Sequence, residues 1–168
     1  ASVYSEQYRN DVLLVKNKTT FGQVSTNNFQ PTRVTSYKGN EPTGDALEFL
    51  AYDQLGNVQE LGKEAGVRTV YIWGYNQAVP LAMIENATYL QVASLAAQLQ
   101  ALSNNDNDRT EDTTNSIGAI NYVGAEGALR QALNGLRAEL PDAMVTTYSY
   151  DPLVGSTSTT DPRGETIY

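Results

Sequence analysis

Two aspartates at matching positions are the first candidates for catalytic acids in this chain. Asp53 follows Tyr52, and Asp151 follows Tyr150. A pair of carboxylates with unequal pKa values is the arrangement that hydrolyses glycosides. A residue found at one place in two copies of a repeat, however, is explained at once by one structural role, a hydrogen bond to the adjacent turn. We therefore interpret both aspartates as structural and predict no catalytic residue and no enzymatic activity.

A second acidic group lies in the stretch SNNDNDRTEDTTNS, residues 103–116. Asp106, Asp108 and Asp112 provide the alternating side-chain oxygens that hold hard cations such as calcium. The stretch lacks the central glycine and the terminal glutamate of an EF-hand loop, and it has no apolar residue to bury. We predict a mobile, solvated surface loop, with calcium binding as the alternative. No metal-binding or cofactor-binding residue is assigned.

The aromatic residues Tyr71, Trp73 and Tyr75 alternate along one strand-like run and could stack on a sugar or a peptide. Aromatic side chains in strands more often supply packing area for the sheet. We interpret these three as structural, and ligand binding through them is the alternative.

Composition excludes several classes of chemistry. The 168 residues include no cysteine and no histidine, so disulfides, thiolate nucleophiles, Cys/His zinc sites and Ser-His pairs are excluded. Glycine-rich phosphate loops are also missing. The net charge of −8 argues against nucleic-acid and anionic-membrane binding. No apolar run reaches the roughly 20 residues of a membrane span, and the first ten residues lack a signal-peptide layout, so we expect any export signal elsewhere in a longer gene.

Two segments of the chain resemble each other and predict a repeat. One reads AYDQLGNVQELGKEAGVRTVY, and the other, near the end, reads SYDPLVGSTSTTDPRGETIY. Each contains a Tyr-Asp pair, a first glycine, a second glycine some ten residues later and then an alternating run. Turn glycines at matched offsets are typical of an array of strand–turn–strand units. We expect positive φ at Gly56 and Gly164, where a β-carbon would be strained.

These motifs resemble the RHS/YD-repeat family of large secreted bacterial proteins. The shared pattern is YD-x-x-G-x, followed by D-P-x-G and a tyrosine-rich strand. The second segment is similar throughout, whereas the first carries Glu64-Ala65-Gly66 in place of D-P-x-G and continues into YIWGYNQAVPLAMIENATY, which is also similar to such proteins. The residues that carry the resemblance would set the fold: Tyr52, Asp53, Gly56, Gly66, Tyr150, Asp151, Gly155, Asp161, Pro162 and Gly164.

The resemblance implies a location, a function and partners. Family members form a hollow β-shell that encloses or presents a variable C-terminal segment, often a toxin, and they are secreted or lie at the cell surface. Partners would be neighbouring repeats of the same longer chain or another protein, such as a secretion component, and the chain would not insert into a membrane. An adhesin-like surface module that recognises glycan or protein is the alternative function. No segment aligns with the family's autoproteolytic region.

The periodicity of apolar residues predicts a mainly β fold with a helical insertion. Strands are expected around residues 11–15, 32–37, 47–52 and 67–75, with the polar stretch 22–30 separating the first two. Thr88 is an N-cap candidate, and two leucine stripes follow it at intervals of three and four: Val92, Leu95, Leu99 and Leu102, then Leu129, Leu133, Leu136 and Leu140, with Pro141 as the stop.

These elements divide the chain into three regions. Residues 1–87 form the YD-repeat β region, residues 88–140 form a helical hairpin that contains the acidic loop 103–116, and residues 141–168 begin a further YD repeat. The expected architecture is an antiparallel YD-repeat ribbon or shell sheet with an α-helical hairpin on it.

Overall fold

The structure, a computed structural model, describes residues 1–152 and 154–168 and confirms a mainly β chain with a helical insertion. It contains two compact units, residues 1–68 and 69–168. The strands are β1 (Ser2–Arg9), β2 (Val12–Ser25), β3 (Asn28–Lys38), β4 (Asp45–Tyr52), β5 (Val58–Lys63), β6 (Arg68–Gly74), β7 (Val79–Glu85), β8 (Thr113–Thr114), β9 (Ile120–Asn121), β10 (Met144–Asp151), β11 (Gly155–Thr160) and β12 (Thr166–Ile167), and the helices are α1 (Tyr89–Asn105) and α2 (Gly124–Glu139).

The first unit is a series of antiparallel hairpins in which each of the strands β1 to β5 pairs with the next. The predicted strands lie where expected, but β2 and β3 extend through most of the polar stretch 22–30. Val24 and Phe29 in that region favour extended backbone, so polarity did not mark a loop. Strand β1 was not predicted because all eight of its residues are exposed, which leaves no buried alternation to recognise.

The turn between β4 and β5 is capped by the aspartate of the first Tyr-Asp pair. Asp53 Oδ1 accepts hydrogen bonds from the backbone N–H groups of Leu55 at 2.9 Å and Asn57 at 2.8 Å. Gly56 donates to the Asp53 carbonyl at 3.2 Å and has a φ of 89°. The left-handed conformation predicted for this glycine is confirmed, and the aspartate has a structural role.

Two further turns have the same five-residue arrangement, which we call the Asx-x-x-Gly turn. Asn115 and Asp161 each accept backbone N–H bonds from the residues two and four positions later. Gly118 and Gly164 each donate to the carbonyl of the capping residue, with φ values of 82° and 85°. Among the described residues this turn therefore occurs three times, and one of the three joins β8 to β9.

The repeat differs in one respect from the alignment proposed on sequence. The Asp151 carboxylate pairs with Arg109. Gly155 has a φ of 148°, and in the first segment Ala65 rather than Gly66 takes positive φ, at 56°. The two glycines that match in structure are therefore Gly56, in the first turn of the first segment, and Gly164, in the second turn of the second segment.

Adding a methyl group at a left-handed glycine tests the turn assignment. We expect Gly164→Ala to lower the free energy of unfolding by about 1–2 kcal/mol, because a β-carbon at positive φ crowds the following carbonyl. No neighbouring atom lies within 4 Å of that β-carbon, so the effect isolates the backbone. The measurement is urea unfolding followed by circular dichroism.

The matched control is Gly135→Ala in α2, where a β-carbon also meets nothing within 4 Å. This change should stabilise the protein by up to about 1 kcal/mol, because alanine favours helix. Equal effects at both glycines would contradict the turn assignment.

The second unit combines a sheet with the two helices. Its strands pair antiparallel in the order β6-β7-β10-β11-β12, so β7 and β10 are neighbours although α1 and α2 lie between them in sequence. Gln91 Oε1 accepts the backbone N–H of Thr88 at 2.7 Å, which confirms the predicted helix start. Helix α2 ends at Glu139, just before Pro141, as expected.

The core of this unit joins the helical stripes to one face of the sheet. Both predicted stripes are confirmed, because Val92, Leu99, Leu129, Leu133 and Leu136 are all almost fully buried. They form one apolar cluster with sheet residues that include Val70, Ile72, Leu81 and Ile84. This packing holds both helices on the sheet, and it thereby positions Asp106 after the end of α1 and Glu126 at the start of α2.

Candidate functional site: a buried acidic cluster beside a left-handed turn

The chain takes a left-handed turn directly after β6. Tyr75, Asn76 and Gln77 have φ values of 49°, 58° and 63°, and Ala78 donates its N–H to the Gly74 carbonyl at 3.0 Å. A residue other than glycine in the left-handed conformation costs about 1–2 kcal/mol relative to the same residue in the right-handed conformation. Strain of this kind persists only where surrounding contacts impose it, and it is often found at functional sites.

Hydrogen bonds to Tyr75 hold this turn in place. Its backbone N–H donates to Ser103 Oγ at 2.9 Å, and its hydroxyl donates to Asp106 Oδ2 at 2.5 Å and accepts the Tyr150 N–H at 2.9 Å. The rings of Tyr75 and Tyr150 meet edge to face with centroids 5.6 Å apart. Burial, together with the bond to Asp106, raises the pKa of Tyr75 far above its ordinary range.

Tyr75 is therefore buried, with only 7% of its surface exposed. Tyr71 and Trp73 are half-buried on β6, and their ring centroids lie 6.5 Å apart. The structure does not place the three aromatics proposed as a binding surface in one exposed patch.

Three carboxylates meet where α1 ends and α2 begins. Oxygen atoms of Asp106, Asp108 and Glu126 lie within 4.8 Å of one another. Asp106 directly follows α1 and is 5% exposed, and Glu126, in the first turn of α2, is 1% exposed. Burial raises the pKa of Asp106, and the charges of Glu126 and Asp108 raise it further, although the Tyr75 hydroxyl acts in the opposite direction.

Asp108 caps the start of α2 from outside the helix. Its carboxylate accepts the backbone N–H of Ala125 at 2.6 Å and that of Glu126 at 3.2 Å. Burial alone would raise the pKa of Asp108, but these bonds and those from Thr110 outweigh it and lower the pKa. Gly124 has a φ of 72°, and a β-carbon there would collide with the Asp108 carboxylate. The glycine thus lets a distant aspartate serve as the cap.

A buried arginine connects the cluster to a fourth acid. Arg130 lies 2.9 Å from Glu126 through Nη1, and it contacts both Asp112 oxygens, at 2.7 Å through Nε and 3.0 Å through Nη2. Burial would lower the pKa of Arg130, but Asp112 and Glu126 raise it, so the guanidinium stays charged. Glu126 also accepts hydrogen bonds from the hydroxyls of Ser149, at 2.6 Å, and Thr157.

These contacts correct the prediction of a solvated loop at residues 103–116. Its first three residues belong to α1, and all three of its aspartates are bonded to helix α2 or to the turn after β6. The local sequence lacks apolar residues because the loop is held by polar contacts. Glu126 and Arg130, spaced four apart at the start of the second leucine stripe, were a signal that sequence reasoning did not use.

The two aspartates considered as paired acids each have a local partner. Asp53 caps its turn in the first unit, and Asp151 pairs with Arg109 in the second. Buried carboxylates beside a tyrosine hydroxyl can store a proton or hold a hard cation, and the acidic cluster is the group that offers this chemistry.

Comparison with known proteins gave no match from which a function could be inferred. No protein-family model matches the chain, and no curated protein matches it. In the part of the chain that the structure describes, neither α1 nor α2 is long and apolar enough to cross a membrane.

Proposed function

We propose that the chain is a non-enzymatic structural segment of a secreted RHS/YD-repeat protein. Its hairpins form part of a β-shell that encloses or presents a C-terminal domain such as a toxin. The shell works mechanically, so its motif residues set turns and strand registers. The protein is secreted or lies at the cell surface, and its partners are neighbouring repeats or a secretion component.

The recurrent Asx-x-x-Gly turn carries this proposal. Three turns with the same hydrogen bonds and the same left-handed glycine occur in one chain, and two of them lie in the segments that resemble YD repeats. A turn that recurs between antiparallel strands is what an array of hairpin units requires. Asp53 and Asp161 both serve as caps in it, which favours a structural role over catalysis.

The outermost strand of the first unit supports the same proposal. Strand β1 pairs with β2 alone among the described strands, and all eight of its residues are exposed. An open edge of this length is a template for another strand, and isolated proteins usually protect such edges. A neighbouring hairpin of the same array would cover it.

The adhesin-like alternative would bind its ligand through Tyr71, Trp73 and Tyr75 or through the acidic loop, and Tyr75 is buried. Its hydroxyl and backbone N–H are both engaged inside the unit. This burial favours the structural function over the adhesin-like one.

The test begins with the complete gene. We expect its product to contain further YD units and to appear as a hollow particle by electron microscopy. Its C-terminal segment should resist trypsin, because the shell excludes the protease. A gene without further YD units, or a product whose C-terminal segment is cleaved as fast as an unfolded peptide, would overturn the proposal.

Two variants test whether the Asx-x-x-Gly turn at Asp161 contributes to this protection from trypsin. Asp161→Ala combined with Gly164→Val removes the cap and strains the turn, so we expect faster cleavage near β11 and β12 in the complete product. Arg163→Ala is the control, because its side chain is 76% exposed and its removal leaves the turn bonds intact.

A further inference from the structure

We propose that Asp106, Asp108 and Glu126 bind a calcium ion, which joins the end of α1 to the start of α2. This inference depends on the acidic cluster alone and is independent of the proposed shell. No cofactor or metal was assigned on sequence, where calcium was the alternative for Asp106, Asp108 and Asp112. The structure places Glu126 in the group instead of Asp112.

The spacing of the oxygens fits calcium. Ca²⁺ takes oxygen ligands at about 2.3–2.6 Å, so two ligands on opposite sides lie about 4.6–5.2 Å apart. The three carboxylates offer atoms that are all within 4.8 Å of one another. An ion placed among the three atoms lies close to the Ca–O distance from each, so small side-chain rotations bring all three carboxylates to it.

One carboxylate oxygen of Asp106 provides a second, independent indication that the cluster binds a cation. Its Oδ2 accepts the Tyr75 hydroxyl, whereas its Oδ1 is fully buried and has no hydrogen-bond partner among the described residues. The residue as a whole is 95% buried, as its 5% exposure shows. An ionised carboxylate only accepts, so a buried oxygen of this kind needs a cation, a proton or a donating water beside it, and a cation is the one of these that also meets the other two carboxylates.

The charge of the surrounding group favours a cation. Asp106, Asp108, Asp112 and Glu126 are acidic, and Arg130 is the guanidinium that pairs with two of them. Arg130 contacts Glu126 through Oε1, and the Ser149 and Thr157 hydroxyls bond to that same oxygen. These contacts all fall on Oε1, so Oε2 is the Glu126 oxygen that would bind the ion. A divalent cation would neutralise two of the three negative charges that Arg130 leaves uncompensated.

The three side chains are fewer than the six to eight ligands that Ca²⁺ prefers, so water must complete the shell. We therefore expect affinity in the range of extracellular calcium modules, a Kd of about 0.1–1 mM. Magnesium should bind more weakly, because it demands a tighter octahedral geometry.

The experiment titrates CaCl₂ into the EDTA-stripped chain of residues 1–168, by calorimetry and by thermal unfolding at matched ionic strength. Binding should raise Tm, because the ion binds the folded chain. Asp106→Asn should weaken binding at least about tenfold, because the amide is a poorer ligand for a hard cation. The amide keeps an acceptor for the Tyr75 hydroxyl, so this variant should fold. The control is Glu111→Gln, an exposed acid on the same loop, which should bind as the wild type does.

A second measurement uses the wild-type chain alone. Tyr75 donates to a proposed ligand, so Tb³⁺ bound at the cluster should emit on tyrosine excitation, and calcium should displace it. A folded wild-type chain that shows neither a heat of calcium binding nor a rise in Tm would overturn the proposal. Equal binding by Asp106→Asn and the wild type would also overturn it.

Discussion

Arg130→Met is expected to lower the free energy of unfolding by about 3–5 kcal/mol, because it leaves buried carboxylates without their counter-charge. Arg130 is 4% exposed, and its partners Asp112 and Glu126 are also buried as side chains. Methionine fills a similar volume, so the loss reports charge rather than a cavity. Urea unfolding of the calcium-free chain measures it.

Arg163→Met is the matched control, because that arginine also pairs with two acids but its side chain is 76% exposed. Its loss should change the free energy of unfolding by about 0.5 kcal/mol or less. Adding Asp112→Asn and Glu126→Gln to Arg130→Met should recover part of the stability, since no buried charge then remains on either partner. A loss below about 1 kcal/mol for Arg130→Met alone would contradict the buried network.

Leu129→Ala is expected to lower the free energy of unfolding by about 2–5 kcal/mol. Leu129 is fully buried in the cluster where the second leucine stripe meets the sheet. Its truncation leaves a cavity that α2 cannot close while Asp108 and Arg130 hold its first turns. The same urea measurement applies.

The control for this change is Leu90→Ala in α1, where the leucine is 88% exposed. That substitution should alter stability by about 0.5 kcal/mol or less, because it removes no buried contact. Similar losses at the two leucines would contradict the packing of the helices on the sheet.

Local patterns in the sequence predicted the helices and several strands. Leucines spaced by three and four, Thr88 as a cap and Pro141 as a stop are signals that lie within a few residues of the structure they specify. The same holds for Gly56 and Gly164, because the turn needs only a capping aspartate and a glycine three residues after it. Such features are recognisable without knowledge of tertiary contacts.

The acidic cluster depends on distant partners, and the sequence indicated only Asp106 and Asp108 of its three carboxylates, as part of the alternative calcium site, and not Glu126. Asp108 bonds to N–H groups 17 and 18 residues later, and the Tyr75 hydroxyl contacts an aspartate 31 residues away. The left-handed turn was also missed, because the predicted strand ran to Tyr75 whereas β6 ends at Gly74. Tertiary bonds, rather than a glycine, impose that conformation, and no local pattern encodes them.

The pairing of β7 with β10 has a consequence for the order of folding. Most described strand pairs join neighbours in sequence, which close short loops quickly as a chain leaves the ribosome. Strands β7 and β10 instead must close a loop that contains residues 86–143. The entropy of that closure makes it the expected slow step. If α1 and α2 form first, fewer flexible residues remain between β7 and β10, and the loop closes at a lower cost in entropy. The stability of the two helices should therefore affect the folding rate in addition to the packing of the core.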